Sequence, residues 1–281
     1  MLTYLFPGQG SQFKGMGENL FSEFPDLIQL ADDILGYSIS TLCLHDPHEQ
    51  LNQTQFTQPA LYTVNALSYL KKMKDAPLQP DFCLGHSLGE YDALFAAGVF
   101  DFATGLRLVQ KRGELMSKEK DGAMAAVIGM TIEEVENFLQ ENNSSSIAIA
   151  NHNSNLQTVI SGLKHDIDAI VLKCQKMTTI RVIPLKVSGA FHSHYMKPAQ
   201  EKFIEFLHPF EFSTPSIPVL ANVNAQSYHP ANIKKNLTDQ ISTTVRWITS
   251  IQKLNNKAMS FEEVGPGKVL SGLVNNITHN R

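Results

Sequence analysis

The 281-residue chain has only three cysteines, Cys43, Cys83 and Cys174. An odd, scattered set of thiols makes no disulfide framework and predicts reduced cysteines in a cytoplasmic protein. None of them has metal-site spacing. Positive charge is not in surplus: 23 Lys and Arg stand against 27 Asp and Glu, a net charge of -4. That argues against a nucleic-acid binder, which carries a basic stripe. No apolar run approaches membrane-spanning length. The start, Met1-Leu2-Thr3-Tyr4-Leu5-Phe6-Pro7, lacks the basic segment and long apolar core of a secretory signal and reads as a first buried strand. A Gly-x-Gly-x-x-Gly pattern is missing, and so is a Walker loop: in the run from Glu262 to Val269, Glu262 stands where the first glycine belongs and Val269 where Ser or Thr belongs. What is present is apolar. At 43% hydrophobic residues the chain can fill one large domain, or a large one with a smaller.

The organising stretch is Gly85-His86-Ser87-Leu88-Gly89, which fits the Gly-x-Ser-x-Gly nucleophile elbow. The apolar run from Phe82 to Leu84 precedes it, and a predicted helix over 90–97 follows. A strand turning sharply into a helix holds its turn residue in a strained backbone with the side chain clear of the sheet. Gly85 and Gly89 allow strand and helix to approach where a Cβ would clash. The helix N-terminus offers unpaired N–H groups to a developing oxyanion. Ser87 is therefore the candidate nucleophile. The plainer alternative is a glycine-rich turn with an incidental serine; the strand–turn–helix context favours the elbow.

Taken in order, residues 2–6 form a strand ended by the tight loop Pro7-Gly8-Gln9-Gly10-Ser11-Gln12. Residues 18–35 are helical by period, broken early by Pro25, and Gln58-Pro59-Ala60 predicts the start of another helix. A helix over 100–116 carries Arg112, which by residue type alone reads as a solvated surface group. A composition shift follows. Strands over 122–129, 147–150, 157–162 and 180–184 and helices over 131–140 and 166–176 give the order β-α-β-β-α-β, the second element opened by a Thr131/Glu134 capping box. That order predicts a ferredoxin-like insert at residues 121–188. After it comes Gly189-Ala190-Phe191-His192-Ser193-His194, with His192 downstream of Ser87 as elbow enzymes require. By residue type alone a single histidine among small residues is a structural group. His192-Ser193-His194 lacks carboxylate or cysteine partners at ligand spacing, so no metal is expected.

The ordered motifs Phe6-Pro7-Gly8-Gln9-Gly10-Ser11-Gln12, Thr57-Gln58-Pro59-Ala60, Gly85-His86-Ser87-Leu88-Gly89-Glu90, Arg112-Gly113, Gly189-Ala190-Phe191-His192-Ser193 and Glu263-Val264-Gly265-Pro266-Gly267 resemble malonyl-CoA:acyl-carrier-protein transacylases along nearly the whole chain. The run from Gly89 to Phe102 is most similar to the free-standing acyltransferases that serve trans-acyltransferase polyketide synthases.

The resemblance implies an α/β-hydrolase-like large subdomain, residues 1–120 and 189–281, holding the ferredoxin-like small one at 121–188, with the site in the cleft between them. It implies a ping-pong transfer of malonyl from malonyl-CoA, through an ester on Ser87, to the phosphopantetheine thiol of an acyl carrier protein. His192 would take the proton, oriented by the backbone carbonyl of Gln240, while the N–H groups of Gln9 and Leu88 form the oxyanion hole. Arg112 would bind the malonyl carboxylate, Phe191 would crowd an α-methyl branch, and His86 and Gln58 would line the substrate site. No cofactor, nucleic acid or membrane partner is implied, and a monomer is the default. Two positions depart from the pattern: Ser117 where many relatives carry glutamine, and Thr243-Thr244 where Asn-Pro is frequent. Two other readings compete. One is an acyl hydrolase of the same fold that clears stalled acyl groups from carrier proteins, and the other is a non-catalytic carrier-docking module. A hydrolase of neutral chains would gain nothing from a buried cation at Arg112, and an intact Ser87 and His192 argue against a docking module.

Overall fold

The computed structural model describes residues 1–175, 177–255 and 259–279. The chain opens with β1 (Leu2–Phe6), then α1 (Glu18–Phe21), α2 (Pro25–Leu35), α3 (Ile39–Leu44) and the long α4 (Thr54–Asp75). Next, β2 (Phe82–Gly85) runs into α5 (Gly89–Ala96), followed by α6 (Phe102–Lys118). The middle of the chain gives β3 (Gly122–Ile128), α7 (Ile132–Glu141), β4 (Ala148–Ser154), β5 (Gln157–Leu163), α8 (Lys164–Cys174) and β6 (Arg181–Pro184). The chain then returns through α9 (Lys197–Leu207), α10 (Ile233–Ser242), α11 (Trp247–Asn255), β7 (Ser260–Glu263) and α12 (Val269–His279).

β1 is the middle strand of a parallel sheet in the order β2-β1-β7, with Thr3 opposite Phe82 and Phe6 opposite Gly85. Its residues Tyr4, Leu5 and Phe6 are fully buried, because helices cover both faces: Tyr4 and Phe6 pack in one core cluster and Leu5 in another. A parallel strand buried on both faces reads as a continuous apolar run, as Leu2 to Phe6 does. Residues 217–219 extend this sheet beyond β2: Val219 bridges Cys83 in parallel, and the Cys83 N–H donates to the Pro218 carbonyl at 3.0 Å.

The second sheet is built from residues 122–184 in the order β4-β5-β3-β6, antiparallel throughout. This is the strand order of a split β-α-β unit. α7 and α8 pack on one face, where Ala125, Val127, Val135, Ile160, Ile167 and Ile170 form a separate core. Entry and exit of this region meet: a Cβ on Gly122 would lie 2.0 Å from the Ala190 nitrogen. Its edge strand β4 is tied back to the rest of the chain at Val245, whose N–H donates to Ala150 O and whose carbonyl accepts from His152 N–H. The architecture is α/β, as the sequence predicts.

Several boundaries differ from the sequence expectation. The helical stretch over 18–35 is two helices: Pro25 opens α2 at its first turn instead of interrupting one helix. α4 begins at Thr54, so Pro59 lies inside it. The turn ahead of Pro59 is set by Gln53, whose carbonyl accepts the N–H groups of Phe56 and Thr57 and the Thr57 hydroxyl. α6 starts at Phe102 because the Asp101 side chain caps it at the Thr104 N–H, 2.7 Å away. β4 runs on to Ser154 through two register shifts, which periodicity does not reveal. α8 spans Lys164–Cys174, and Lys176, where its predicted end falls, lies outside the described residues. The Thr131/Glu134 capping box forms as predicted.

The elbow glycines are steric requirements. A Cβ on Gly85 would stand 1.9 Å from the Gly89 carbonyl carbon, and one on Gly89 would stand 2.0 Å from the Phe6 oxygen. Gly272, exposed within α12, meets nothing within 4 Å. Gly85→Ala and Gly89→Ala are expected to abolish soluble folded protein. Gly272→Ala should instead raise stability by about 0.5–1 kcal/mol, since Ala loses less backbone entropy in a helix. Denaturant unfolding followed by circular dichroism checks all three; a Gly85→Ala protein as stable as the parent would contradict the packing described.

Candidate active site

β2 delivers Ser87 and α5 carries the chain away from it. Ser87 adopts φ 52°, the left-handed region that a non-glycine residue enters at a cost on the order of 1–3 kcal/mol. The turn is closed by Gly89 N–H to His86 O and Glu90 N–H to Ser87 O, both 3.1 Å. The Ser87 Oγ lies 2.8 Å from His192 Nε2, although the two residues are 105 positions apart. His192 Nδ1 lies 2.7 Å from the Gln240 backbone oxygen. A carbonyl oxygen only accepts, so Nδ1 carries the proton and Nε2 is the acceptor. The Ser87 hydroxyl therefore donates to His192, the arrangement of a nucleophile facing its general base. His192 is itself at φ 57°, and its N–H donates to Ile241 O at 3.2 Å.

Arg112 is not a solvated group: it is 1% exposed. Its Nη1 donates to Gln58 Oε1 at 2.8 Å, and its Nη2 donates to Gln240 Oε1 at 2.9 Å and to Ser87 Oγ at 3.2 Å. The guanidinium also lies 5.7 Å over the Tyr91 ring, and among the described residues its Nε has no hydrogen-bond partner. Burial lowers its proton affinity, yet a guanidinium stays charged in a protein. Among the described residues no carboxylate bonds it. The site thus holds a buried cation whose hydrogen-bond partners are all neutral, with the buried Glu90 acting on it only through space, a setting that suits a carboxylate ligand.

The same burial acts on His192, whose proton affinity falls to a pKa of about 3; burial is the largest cause and the Arg112 charge the next, against the Gln240 carbonyl. His192 is neutral at physiological pH, as a base must be.

Gln9, Gln58, His86, Leu88, Phe191 and Met116 line one cavity with Ser87, Arg112 and His192. Gly8 allows the β1 loop to reach the elbow, since a Cβ there would sit 2.2 Å from His86 O. Gln9 is fastened by its Nε2 to Thr54 Oγ1 at 3.2 Å. No hydrogen bond among the described residues uses the N–H of Gln9 or of Leu88. Both remain able to receive an oxyanion. Phe191 is 5% exposed and forms an apolar wall. His86 lies against Trp247 and pairs its Nε2 with Asn153 Oδ1 at 2.9 Å; burial lowers its pKa. Ser117 bonds the Glu114 carbonyl, Thr243 bonds Asp239 O and Thr244 bonds Ile149 O, and none of the three is among the residues lining the Ser87 cavity.

Sequence reasoning missed Asn151 and Asn153 on β4, Asn222, and the side chain of Gln240. Asparagines carry no spacing signal, and only the bulged β4 brings the first two to the elbow. Gln240 Nε2 donates to Ser87 O at 2.8 Å, so this one residue touches Ser87, His192 and Arg112. No cluster of three or more potential metal ligands occurs among the described residues.

The chain matches the acyl transferase domain model over residues 3–272. It is 57% identical to the polyketide biosynthesis malonyl CoA-acyl carrier protein transacylase PksC of Bacillus subtilis (strain 168), over 99% of this chain and 97% of that one. It is 56% identical to the polyketide biosynthesis malonyl CoA-acyl carrier protein transacylase BaeC of Bacillus velezensis, over 99% of this chain and 96% of the other. Among solved structures, the malonyl CoA-acyl carrier protein transacylase of Burkholderia pseudomallei is similar with a TM-score of 0.98 at 48% identity, covering 100% of this chain and 99% of that one. A type II polyketide synthase acyl-carrier protein in complex with its malonyl-transacylase (PlMCAT:AntF) gives a TM-score of 0.93 at 35% identity, covering 99% of this chain and 93% of that one.

The depressed His192 pKa sets a pH expectation. The base is active when neutral, so its lowering from 6.5 to about 3 keeps Ser87 reactive at acid pH. The rate of labelling by a serine-directed fluorophosphonate is expected to stay nearly flat from pH 8 to pH 5. Arg112→Gln, which removes the second cause of the depression, should move the acid limb upward. An acid limb already centred near the ordinary histidine value of about 6.5 in the unsubstituted protein would contradict this electrostatic account.

Proposed function

The chain belongs to the acyl transferase domain family, and from that premise we propose that it transfers malonyl groups from malonyl-CoA to the phosphopantetheine thiol of an acyl carrier protein. The observation that carries the reading is Arg112, a buried guanidinium without an acidic partner, 3.2 Å from the Ser87 hydroxyl. A planar guanidinium pairs with a carboxylate through two charge-assisted hydrogen bonds, so the acyl group it favours is one that carries a free carboxylate beside its thioester.

In the first half-reaction Ser87 Oγ attacks the thioester carbonyl carbon as its proton passes to His192 Nε2. The carbonyl oxygen, now negative, is received by the N–H groups of Gln9 and Leu88, each such donor contributing about two to three orders of magnitude in rate. The C–S bond then breaks, the proton on Nε2 goes to the departing CoA sulfur, and a malonyl ester remains on Ser87. In the second half-reaction the carrier thiol gives its proton to His192 and attacks the ester carbonyl. Ser87 leaves with that proton, and the malonyl thioester of the carrier is released. Throughout, the Gln240 carbonyl keeps His192 in the required tautomer.

The names of the similar Bacillus proteins support polyketide biosynthesis as the pathway, and the described transacylase–carrier complex supports a carrier protein as acceptor. We read the chain as two subdomains, 1–120 with 189–281 and 121–188, acting as a cytoplasmic monomer with no metal or redox cofactor and no nucleic-acid or membrane partner. Among the described residues no helix is long and apolar enough to cross a membrane. The hydrolase reading would need Ser87 and His192 identically, but it leaves the buried cation without a purpose.

Incubation with malonyl-CoA should add one malonyl mass, lost in Ser87→Ala and passed to a phosphopantetheinylated carrier protein on mixing. Arg112→Ala removes one partner of a buried charge pair, which costs about 2–5 kcal/mol, or about 30- to 5,000-fold in malonyl loading. Loading with acetyl-CoA should fall far less, if at all. Equal malonyl loading by Arg112→Ala and the parent would remove the basis of the reading. Methyl-branched malonyl-CoA, facing Phe191, should load about 10- to 200-fold more slowly than malonyl-CoA.

A further inference from the structure

Ser87 is gripped through its backbone as well as its side chain. Its N–H donates to Asn222 Oδ1 at 2.7 Å, and Asn222 Nδ2 donates to the Gly85 carbonyl at 2.8 Å. The Asn222 backbone N–H donates to Glu90 Oε2 at 2.7 Å. One side chain and its own amide thus meet the first glycine, the serine and the first glutamate of the elbow, 137, 135 and 132 positions away in the chain. On the other side of the serine, its carbonyl accepts from Gln240 Nε2 at 2.8 Å. The two peptide groups that flank a residue at φ 52° are therefore both tied to side chains from outside the elbow.

Asn222 is itself fixed. It is 3% exposed and follows the 217–219 segment that pairs beside β2, so the sheet brings it level with the turn. Its carbonyl accepts from Arg246 N–H at 2.9 Å. Ala221, next to it, closes a tight turn through bonds with Ala225 and Gln226. Glu90, which takes its N–H, is fully buried and also accepts from the Tyr228 hydroxyl. A left-handed serine persists only where its surroundings over-determine it. The Ser87 N–H, left unpaired in this buried turn, would favour a relaxed backbone.

We propose that Asn222 is a positioning residue for the nucleophile: by holding the Ser87 N–H and the Gly85 carbonyl together, it keeps Oγ on the line between His192 Nε2 and the N–H groups of Gln9 and Leu88. This rests on the reading of Ser87 as the nucleophile. The consequence is specific. Asn222 makes no hydrogen bond to Arg112 and is not itself among the residues lining the cavity; its one link toward the arginine is a 3.5 Å contact with Gln240 Nε2, so its loss acts on the reactivity of Ser87 before recognition of the acyl carboxylate.

The test compares Asn222→Ala, Asn222→Leu and Tyr228→Phe in the full chain. Leucine fills the volume that alanine empties, and Tyr228→Phe removes a buried bond to Glu90 in the same network while leaving the bonds to Ser87 and Gly85 in place. Fluorophosphonate labelling of Ser87 and the rate of malonyl-serine formation are measured alongside thermal unfolding. Both Asn222 variants are expected to lose about 10²-fold in each rate, with the KM for malonyl-CoA within about threefold of the parent; a displacement of about 1 Å at a reacting group has an effect of that order. Tyr228→Phe should keep both rates within about threefold even where its melting temperature falls. Either folded Asn222 variant reacting within threefold of the parent would overturn the proposal, as would a loss confined to KM or an equal rate loss in Tyr228→Phe. Failure of the unsubstituted protein to label at Ser87 would instead count against the acyltransfer reading itself.

Discussion

A serine forced into the left-handed backbone region between a parallel strand and a helix is the constraint on which the rest of this structure depends. The close approach of β2 and α5 permits no side chain at Gly85 or Gly89 and none at Gly8, where the β1 loop crosses the turn. That crowding lifts Oγ out of the sheet, while the Leu88 N–H at the head of α5 takes part in no hydrogen bond among the described residues. The strain is held from outside, by Asn222 on one side and Gln240 on the other. Sheet pairing supplies the first of these and α10 the second, so the geometry of one hydroxyl draws on widely separated parts of the chain.

The electrostatics form a second layer on that frame. Arg112 lies deep in the site with amides and a hydroxyl as its partners, and its charge reinforces burial in keeping His192 neutral. In the proposed reaction a substrate carboxylate arriving at Arg112 would offset that charge, and His192 would become a better proton acceptor at the moment the thioester is in place. Recognition and activation are coupled through one cation. Gln240 links the three groups physically: its carbonyl orients the histidine, its Oε1 holds the arginine and its Nε2 holds the serine.

Much of this was legible before the structure. The Gly-x-Ser-x-Gly run marked Ser87, the β-α-β-β-α-β order marked the second sheet, and the Thr131/Glu134 pair marked the start of α7, because each signal is short-range and each follows from local sterics or capping. Local reasoning placed Pro59 in a first turn, whereas Gln53 starts the helix earlier. It read Arg112 as a surface group until the resemblance changed its meaning, since an isolated arginine carries no sign of its own burial. Asn222, Asn151 and Asn153 gave no signal, because their roles exist only through partners far along the chain.

The sequence by itself determined the candidate nucleophile, the turn that exposes it and the alternation of elements around it, since glycine placement and apolar periodicity act over a few residues. Only the tertiary structure decided that His192 meets Ser87 across 105 positions, that Arg112 is buried with neutral hydrogen-bond partners, and that Asn222 and Gln240 brace the turn. Those facts depend on strand order and on how α6, α10 and the 217–222 segment pack against the elbow. Such packing is a property of the whole buried core and not of any local run of residues.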